Sequence, residues 1–289
     1  MVTRERNQKA ERLTGEVASF ALRGGNQPGS EAVEAYKRDG VVCIRNAFGN
    51  WLELIEAGIN SALAGASTDI DVVKGDAGEG NFSFSSQAWM NVAPFRQFIF
   101  DSHAADLVWP FLESEVLVLF YDFLLIKQAR SRGAATPWHQ DHSYYPLEGT
   151  KVINCWTALD AIPLESALRF VKGSHRPAIC YRAVNFDRAS DDYRHARNER
   201  PLPPDFDNDP TSEILSTAMM PGDTLVWNSY TFHSAPGNRL DSRRAAFSVN
   251  WVGDDVTYTD APALETYRDP SLVAGLPIVC AKFPCLRGR

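Results

Sequence analysis

Between residues 116 and 252 the chain repeats one pattern: a short segment rich in aliphatic and aromatic residues, then a turn signal. Such segments lie at 116–128, 152–158, 168–172, 223–228 and 244–252. Ser131-Arg132-Gly133, Gly149, Gly173 and Pro221-Gly222-Asp223 separate them. Glycine reaches backbone angles closed to other residues and proline cannot donate a ladder hydrogen bond, so both punctuate strands. Many short strands with turn signals predict a barrel or jelly roll. Val41–Arg45 reads as a further buried strand. The run 116–128 is too rich in Val and Leu to alternate, which suits a central strand or hairpin.

Helical spacing is concentrated on the N-terminal side, giving a mainly β fold with flanking helices. Ser30 is placed to cap a helix over 30–38, and Asn50 one over 51–63, where Leu52, Ile55, Ile59 and Leu63 recur. Residues 94–111 read as helical, with Phe95, Phe98, Ile99, Leu107 and Val108 facing inward. The polar residues 1–29 read as an arm, helical over 8–22. Residues 67–93, broken by Gly75, Gly78 and Gly80, read as loop, with Phe82 and Trp89 as candidates for a lid or pocket wall. The charged, Pro-rich stretch 181–212 reads as an outer loop covering a site. Residues 261–289 read as a loop-like tail, which leaves one domain over 30–260.

With 289 residues the chain can bury a sizeable core. A net charge of −7 argues against nucleic acid, whose binding needs a basic face. No apolar run reaches the roughly 18 residues of a membrane helix, so no membrane partner is expected. Met1-Val2-Thr3-Arg4-Glu5-Arg6 has no apolar core, so no signal peptide is expected. Five scattered cysteines without a CxxC read as free thiols in a reducing cytoplasm. A monomer and a homodimer are both compatible.

The chemistry centres on Trp138-His139-Gln140-Asp141. In an extended strand, residues i and i+2 share a face, so His139 and Asp141 can aim an imidazole nitrogen and a carboxylate oxygen at one point. Two His and one carboxylate on one face leave the opposite positions of a metal open, the signature of non-haem Fe(II) oxygenases. A third ligand must come from the six histidines. His103 sits in a helical pattern, His142 just past the metal segment, His175 in a turn and His195 in a charged run. His233 follows an apolar strand pattern and precedes the loop Ser234-Ala235-Pro236-Gly237-Asn238, and is the candidate.

This constellation resembles the phytanoyl-CoA dioxygenase family of Fe(II)- and 2-oxoglutarate-dependent oxygenases. The matching residues are Trp138-His139-Gln140-Asp141, Tyr144-Tyr145-Pro146, Cys155-Trp156-Thr157, residues 168–175, Pro221-Gly222-Asp223, and His233 through Asn238 with Arg243-Arg244-Ala245. The resemblance covers about 33–258 and departs at Glu165-Ser166-Ala167, where relatives often carry Asn-Gly-Cys or Asn-Gly-Ala. It implies a double-stranded β-helix (jelly-roll, cupin-like) core. It also implies that 2-oxoglutarate occupies two positions of the metal and O2 the third, and that succinate and CO2 are released as a substrate C–H bond is oxidised. The far carboxylate of 2-oxoglutarate then needs a cation, and the resemblance places Arg244 there and Trp156 in the co-substrate pocket. Arg243 alternates to the other strand face. Lys127, in the preceding strand, is a further candidate to reach co-substrate or substrate. Halogenating relatives lack the carboxylate that Asp141 supplies, so hydroxylation or a related oxidation is expected.

For a small-molecule substrate, Tyr144, Tyr145, Phe82 and Trp89 are candidates for an aromatic wall. Arg169, Arg176 and Arg182 are candidates to receive a carboxylate, phosphate or phosphonate. Two other classes remain at this stage: a zinc or manganese jelly-roll enzyme that does not use 2-oxoglutarate, and a non-catalytic small-molecule-binding relative.

Overall fold

The structure is a computed structural model that describes residues 13–67, 70–73, 79–186 and 197–288. In chain order its elements are β1 (Gly15–Glu16), β2 (Ser19–Ala21), α1 (Ser30–Asp39), β3 (Val41–Arg45), α2 (Leu52–Ser61), β4 (Ile70–Val73), β5 (Phe82–Ser86), α3 (Ala93–Asp101) and α4 (Ala104–Leu112). Then come β6 (Leu117–Lys127), β7 (Thr136–His139), β8 (Leu147–Glu148), β9 (Val152–Ala158), β10 (Arg169–Val171), β11 (Ile214–Ser216), β12 (Thr224–Asn228), β13 (His233–Ala235), β14 (Arg244–Val252), β15 (Thr257–Tyr258) and β16 (Cys285–Arg287).

Two sheets form the jelly roll expected from the strand pattern. The larger runs β2-β3-β12-β9-β14-β6-β5-β4, with β16 also on β6, and the smaller β1-β11-β10-β13-β7. They pack through a shared apolar layer in which Phe170, Leu215 and Ala235 meet Trp156, Leu225, Trp227 and Ala246. Helices α2, α3 and α4 cover the outer face of the larger sheet. There Phe247 stacks on Phe95 at 4.3 Å and meets the edge of Phe98 at 5.8 Å. Burying one such aromatic contributes about 1.5–3 kcal/mol.

Period-two alternation sorts the two central strands. On β14, Ala245, Phe247, Val249 and Trp251 join the helix-covered core, while Arg244, Ala246, Ser248 and Asn250 line an internal cavity. On β6, Leu124 and Ile126 face the helices, and Tyr121, Phe123, Leu125 and Lys127 face the cavity. Both faces of β6 are therefore covered, which is why its sequence shows no polar side.

Several expectations are corrected. Residues 15–16 and 19–21 are extended, not helical, and pair in parallel with β11 and β3. The N-cap of α1 is Gly29, with Ser30 its first residue, and Asn50 lies in a 3-10 turn, so neither side chain caps a helix. The helix α2 passes at Ser61 into a π-helical turn over Ala62–Ala66, in which Leu63 is exposed rather than facing inward. Ser102 adopts an extended ψ of 177° and splits the expected helix 94–111 into α3 and α4. Its hydroxyl receives the Ala104 N–H at 3.2 Å, which favours restarting the helix. The stretch 67–93 is not all loop, because β5 pairs with β6, placing Phe82 opposite Lys127, and β4 pairs with β5. The tail buries Ala263, Tyr267, Ile278 and Phe283 against Val118 and Phe120. Gly75, Gly78, His195 and the first part of the expected 8–22 helix lie outside the described residues.

One carboxylate is buried away from the cavity. Asp122 is fully buried on β6, its Oδ1 accepting the Trp89 N–H at 3.2 Å and its Oδ2 having no partner. Burial raises its pKa from 3.8 to about 7. The folded state thus retains a proton that the unfolded chain has lost between these values, so this contribution to stability is full below about pH 4 and is lost as pH rises through about 7. The Asp122→Asn protein should not show that loss. Its stability advantage over wild type should grow between about pH 4 and 7, by up to roughly 4 kcal/mol, and level off above that. Thermal midpoints across pH check this, and an advantage independent of pH would refute it.

Candidate metal centre

The strand β7 ends at His139, so Asp141 is not in the strand but opens a 3-10 turn over Asp141–Tyr144. Gln140 between them remains extended, at φ −110° and ψ 135°, and preserves the i, i+2 relation. Its own side chain is held on protein carbonyls. Nε2 donates to the Tyr230 and Ile179 carbonyls at 2.9 and 3.1 Å, and Oε1 receives the Tyr181 N–H at 3.0 Å. His233 opens β13 directly opposite His139 in the antiparallel ladder.

The ligand atoms of His139, Asp141 and His233 all lie within 4.8 Å of one another. His139 Nε2 is 3.5 Å from Asp141 Oδ1, and His233 Nε2 is 3.6 Å from Asp141 Oδ2. The opposite nitrogens, His139 Nδ1 and His233 Nδ1, lie 2.8 and 3.1 Å from the Pro137 and Thr231 carbonyls. A carbonyl only accepts, so each Nδ1 carries the hydrogen and each Nε2 presents a lone pair. Asp141 Oδ2 receives Trp227 Nε1–H at 2.9 Å and Asn154 Nδ2–H at 2.5 Å. Burial pushes His233 down to about pKa 4. Burial alone would raise Asp141, but the two histidines and Trp227 outweigh it and hold the carboxyl at about 2. The donor set is two imidazole Nε2 atoms and a carboxylate, which fits a divalent iron site with open positions.

This centre opens into a cavity of about 310 Å³. Arg244 on β14 and Lys127 on β6 are paired across the ladder at one side. Both are buried, at 4% and 2% exposure, so Lys127 is not a solvated strand-edge lysine. Lys127 Nζ donates to the Pro236 carbonyl at 3.2 Å, Arg244 Nη1 reaches the same oxygen at 3.5 Å, and Arg244 Nε has no partner. Burial and then the Arg244 charge push Lys127 well below its ordinary pKa, and burial pushes Arg244 to about 10. Among the described residues neither cation has a carboxylate partner. A buried unpaired guanidinium is costly, so this corner is prepared for an anion. Arg243 points away, to Glu56 and Asp160. The indole of Trp156 lies 5.9 Å from the Arg244 guanidinium.

Phe82, Tyr144 and Tyr145 line the cavity. Trp89 does not: it is buried in the helix-covered core, with Nε1 donating to Gln87 Oε1 at 2.9 Å. None of the three expected anion receptors lines it either. Arg169 lies over the Trp138 ring and bonds Ser234, Arg176 holds the Arg38 carbonyl, and Arg182 holds the Asn198 carbonyl. Arg169 also pairs with Asp207, at 3.4 Å. The departure at Glu165-Ser166-Ala167 forms a turn that does not line the cavity. His142 is stacked on Tyr230 at 4.1 Å, His175 holds the Lys37 carbonyl, and His103 stacks on Phe48.

Sequence reading passed over Asn154, Trp227, Tyr121, Phe123, Asn250 and Phe186. Stepping back by two from Trp156 finds Asn154, and from Lys127 finds Phe123 and Tyr121. Nothing local marks Phe186, which reaches His139 edge-on at 4.9 Å from the irregular stretch after Cys180.

The profile of the phytanoyl-CoA dioxygenase (PhyH) family matches residues 36–246, a span that contains the triad, Lys127 and Arg244. The chain belongs to the phytanoyl-CoA dioxygenase family. A probable phytanoyl-CoA dioxygenase of Caenorhabditis elegans is 26% identical over 139 residues, 46% of this chain and 42% of that protein, so the chain spans less than half the relative's length. The fold of this family member is similar to that of the non-haem alpha-ketoglutarate-dependent carbocyclase SnoK from nogalamycin biosynthesis, with a TM-score of 0.69 at 20% identity over 89% of this chain and 96% of that one. It is also similar to the epimerase SnoN in complex with Fe3+, alpha-ketoglutarate and nogalamycin RO, with a TM-score of 0.68 at 21% identity over 89% and 98%.

Proposed function

We propose that the protein is a non-haem Fe(II)- and 2-oxoglutarate-dependent dioxygenase that oxidises a C–H bond of a small molecule. The observation that carries this is the pairing, in one cavity, of a His-Asp-His donor set with two buried basic side chains to which the described residues offer no anion. His139, Asp141 and His233 hold the iron. Arg244 clamps the far carboxylate of 2-oxoglutarate, Lys127 adds a second positive charge, and Trp156 flanks them. The bound iron, with 2-oxoglutarate and O2, supplies the oxidising chemistry and releases succinate and CO2. The protein's own part is placement. Trp227 and Asn154 fix the carboxylate, the Pro137 and Thr231 carbonyls fix the imidazoles, and the apolar walls exclude water.

Membership of the family and the likeness to SnoN, whose complex holds Fe3+ and alpha-ketoglutarate, support this reading. A metal-dependent jelly roll that does not use 2-oxoglutarate would have no use for the unpaired Arg244. The retained carboxylate of Asp141 favours hydroxylation or a related oxidation. No helix among the described residues is long and apolar enough to cross a membrane. None of the five cysteines forms a disulfide, which suits the cytoplasm.

Anaerobic addition of Fe(II) and 2-oxoglutarate should produce the weak visible charge-transfer band of the chelate, saturating at one equivalent of each. No band, with iron bound, would sink the 2-oxoglutarate assignment.

A further inference from the structure

Away from the metal site and the Lys127–Arg244 corner, no charged side chain lines the cavity among the described residues. Among the described residues that line it, the charged side chains are Asp141, Lys127 and Arg244, all committed by the dioxygenase reading. The remaining wall is mainly aromatic and apolar, with the neutral polar side chains of Thr136, Asn185, Ser234, Ser248 and Asn250 among it. Phe82, Phe84 and Phe123 form a continuous face, with ring centroids 5.4 and 6.0 Å apart. Phe186 and Tyr144 stand beside His139, with centroids 4.9 and 5.9 Å from its imidazole. A second feature lies next to the metal. Asn154 is 1% exposed and lines the cavity, and its Nδ2 is held by Asp141. That bond fixes which way the amide points, because a carboxylate accepts only a donor. Its Oδ1 is buried and has no hydrogen-bond partner. A buried acceptor left unmade costs about 1–3 kcal/mol, so it calls for a donor.

We propose that the substrate is an uncharged, ring-bearing molecule with a hydroxyl or N–H donor, and that Asn154 Oδ1 receives that donor beside the iron. The proposal rests on the dioxygenase reading, which commits Arg244 and Lys127 to 2-oxoglutarate. A ring suits the wall, since aromatic faces gain most from stacked and edge-to-face partners. A free carboxylate or phosphate would be buried against aromatic faces and near Asp141 without a cation of its own. A substrate cation would share the cavity with Arg244 and Lys127. The donor requirement also serves orientation: one hydrogen bond at Asn154, adjacent to the metal carboxylate, fixes which edge of a ring meets the reacting position.

The test uses the Fe(II)- and 2-oxoglutarate-loaded protein under anaerobic conditions, with loading followed by the chelate band. Equilibrium dialysis measures the affinity of four probes: 2-naphthol, naphthalene, 2-naphthoate and phenyltrimethylammonium. The naphthol should bind about three- to tenfold more tightly than naphthalene, the worth of one net hydrogen bond. The naphthoate and the ammonium should bind more weakly than naphthalene. In Asn154→Ala and Asn154→Val the preference for naphthol over naphthalene should fall to near one. Tightest binding of naphthoate or of the ammonium overturns the neutral assignment. Equal wild-type affinities for naphthol and naphthalene, or an undiminished preference in the variants, overturns the role of Asn154. Because wild type alone decides the first two points, variants that fail to fold leave the proposal open to refutation. The chelate band reads the dioxygenase assignment separately: a band with naphthoate preferred sinks only the present proposal, and neutral preference without a band sinks only the cofactor assignment.

Discussion

Alanine at His139 or at His233 is expected to bring 2-oxoglutarate-dependent succinate formation down by more than about a hundredfold while the protein stays folded. Outer groups around a metal typically cost 10–100-fold when removed, so a direct ligand should cost more. Folding should survive because the strands that carry the two residues are held by neighbours that do not depend on the imidazoles. The strand β13 is paired on both sides, by β10 and β7, and Gln140 is fastened to three backbone groups. The main structural loss is packing: His233 lies 5.8 Å from the Phe170 ring and 5.2 Å from Trp227. Losing it should cost roughly 1–3 kcal/mol, visible as a lower thermal midpoint with an unchanged far-UV spectrum. Wild-type rates of succinate formation in either variant, with iron still bound, would remove these residues from the metal site.

Arg244→Lys should raise the KM for 2-oxoglutarate roughly ten- to a hundredfold and lower kcat less. A guanidinium grips a carboxylate with two parallel hydrogen bonds, each charge-assisted, and an ammonium replaces the fork with a point donor. The lost bond serves co-substrate binding in ground and transition states alike, so the effect appears mainly in KM. Arg243→Lys is the internal control. It sits one residue earlier, and its guanidinium is bound outside the cavity to Glu56 and Asp160, so the KM for 2-oxoglutarate should be unchanged. Should Arg243→Lys raise KM while Arg244→Lys does not, the clamp is assigned to the wrong residue. Should neither, Lys127→Met is the next variant to measure, since Lys127 lies opposite Arg244 in the ladder and shares the Pro236 carbonyl with it.

The jelly-roll class and the family were legible in the chain because both rest on local order. Turn residues fall between short apolar segments, and His139 and Asp141 are separated by one extended residue. A wrong reading arose where an element's partner lay far away. Residues 15–16 and 19–21 are too short to show a period of their own, yet they are strands because the open edges of β11 and β3 supply ladder partners. The same holds for β5, a Phe-Ser alternation inside a Gly-rich stretch that becomes a strand by pairing with β6. The helix over 94–111 broke at Ser102 because the spacing of Phe98, Ile99, Leu107 and Val108 carries no record of where the axis turns.

By itself the sequence determined the donor set's chemistry, the two-residue spacing of His139 and Asp141, and the alternation that sends Arg243 and Arg244 to opposite faces. Those are consequences of residue type and a two-residue period. Tertiary structure alone decided that His233 stands opposite His139, that Trp227 and Asn154 clasp Asp141, and that Lys127 is buried beside Arg244. Each depends on the register between strands that are distant in the chain. Register is set by many pairwise contacts across the sheet at once, and a one-residue slip would turn every one of these side chains to the other face.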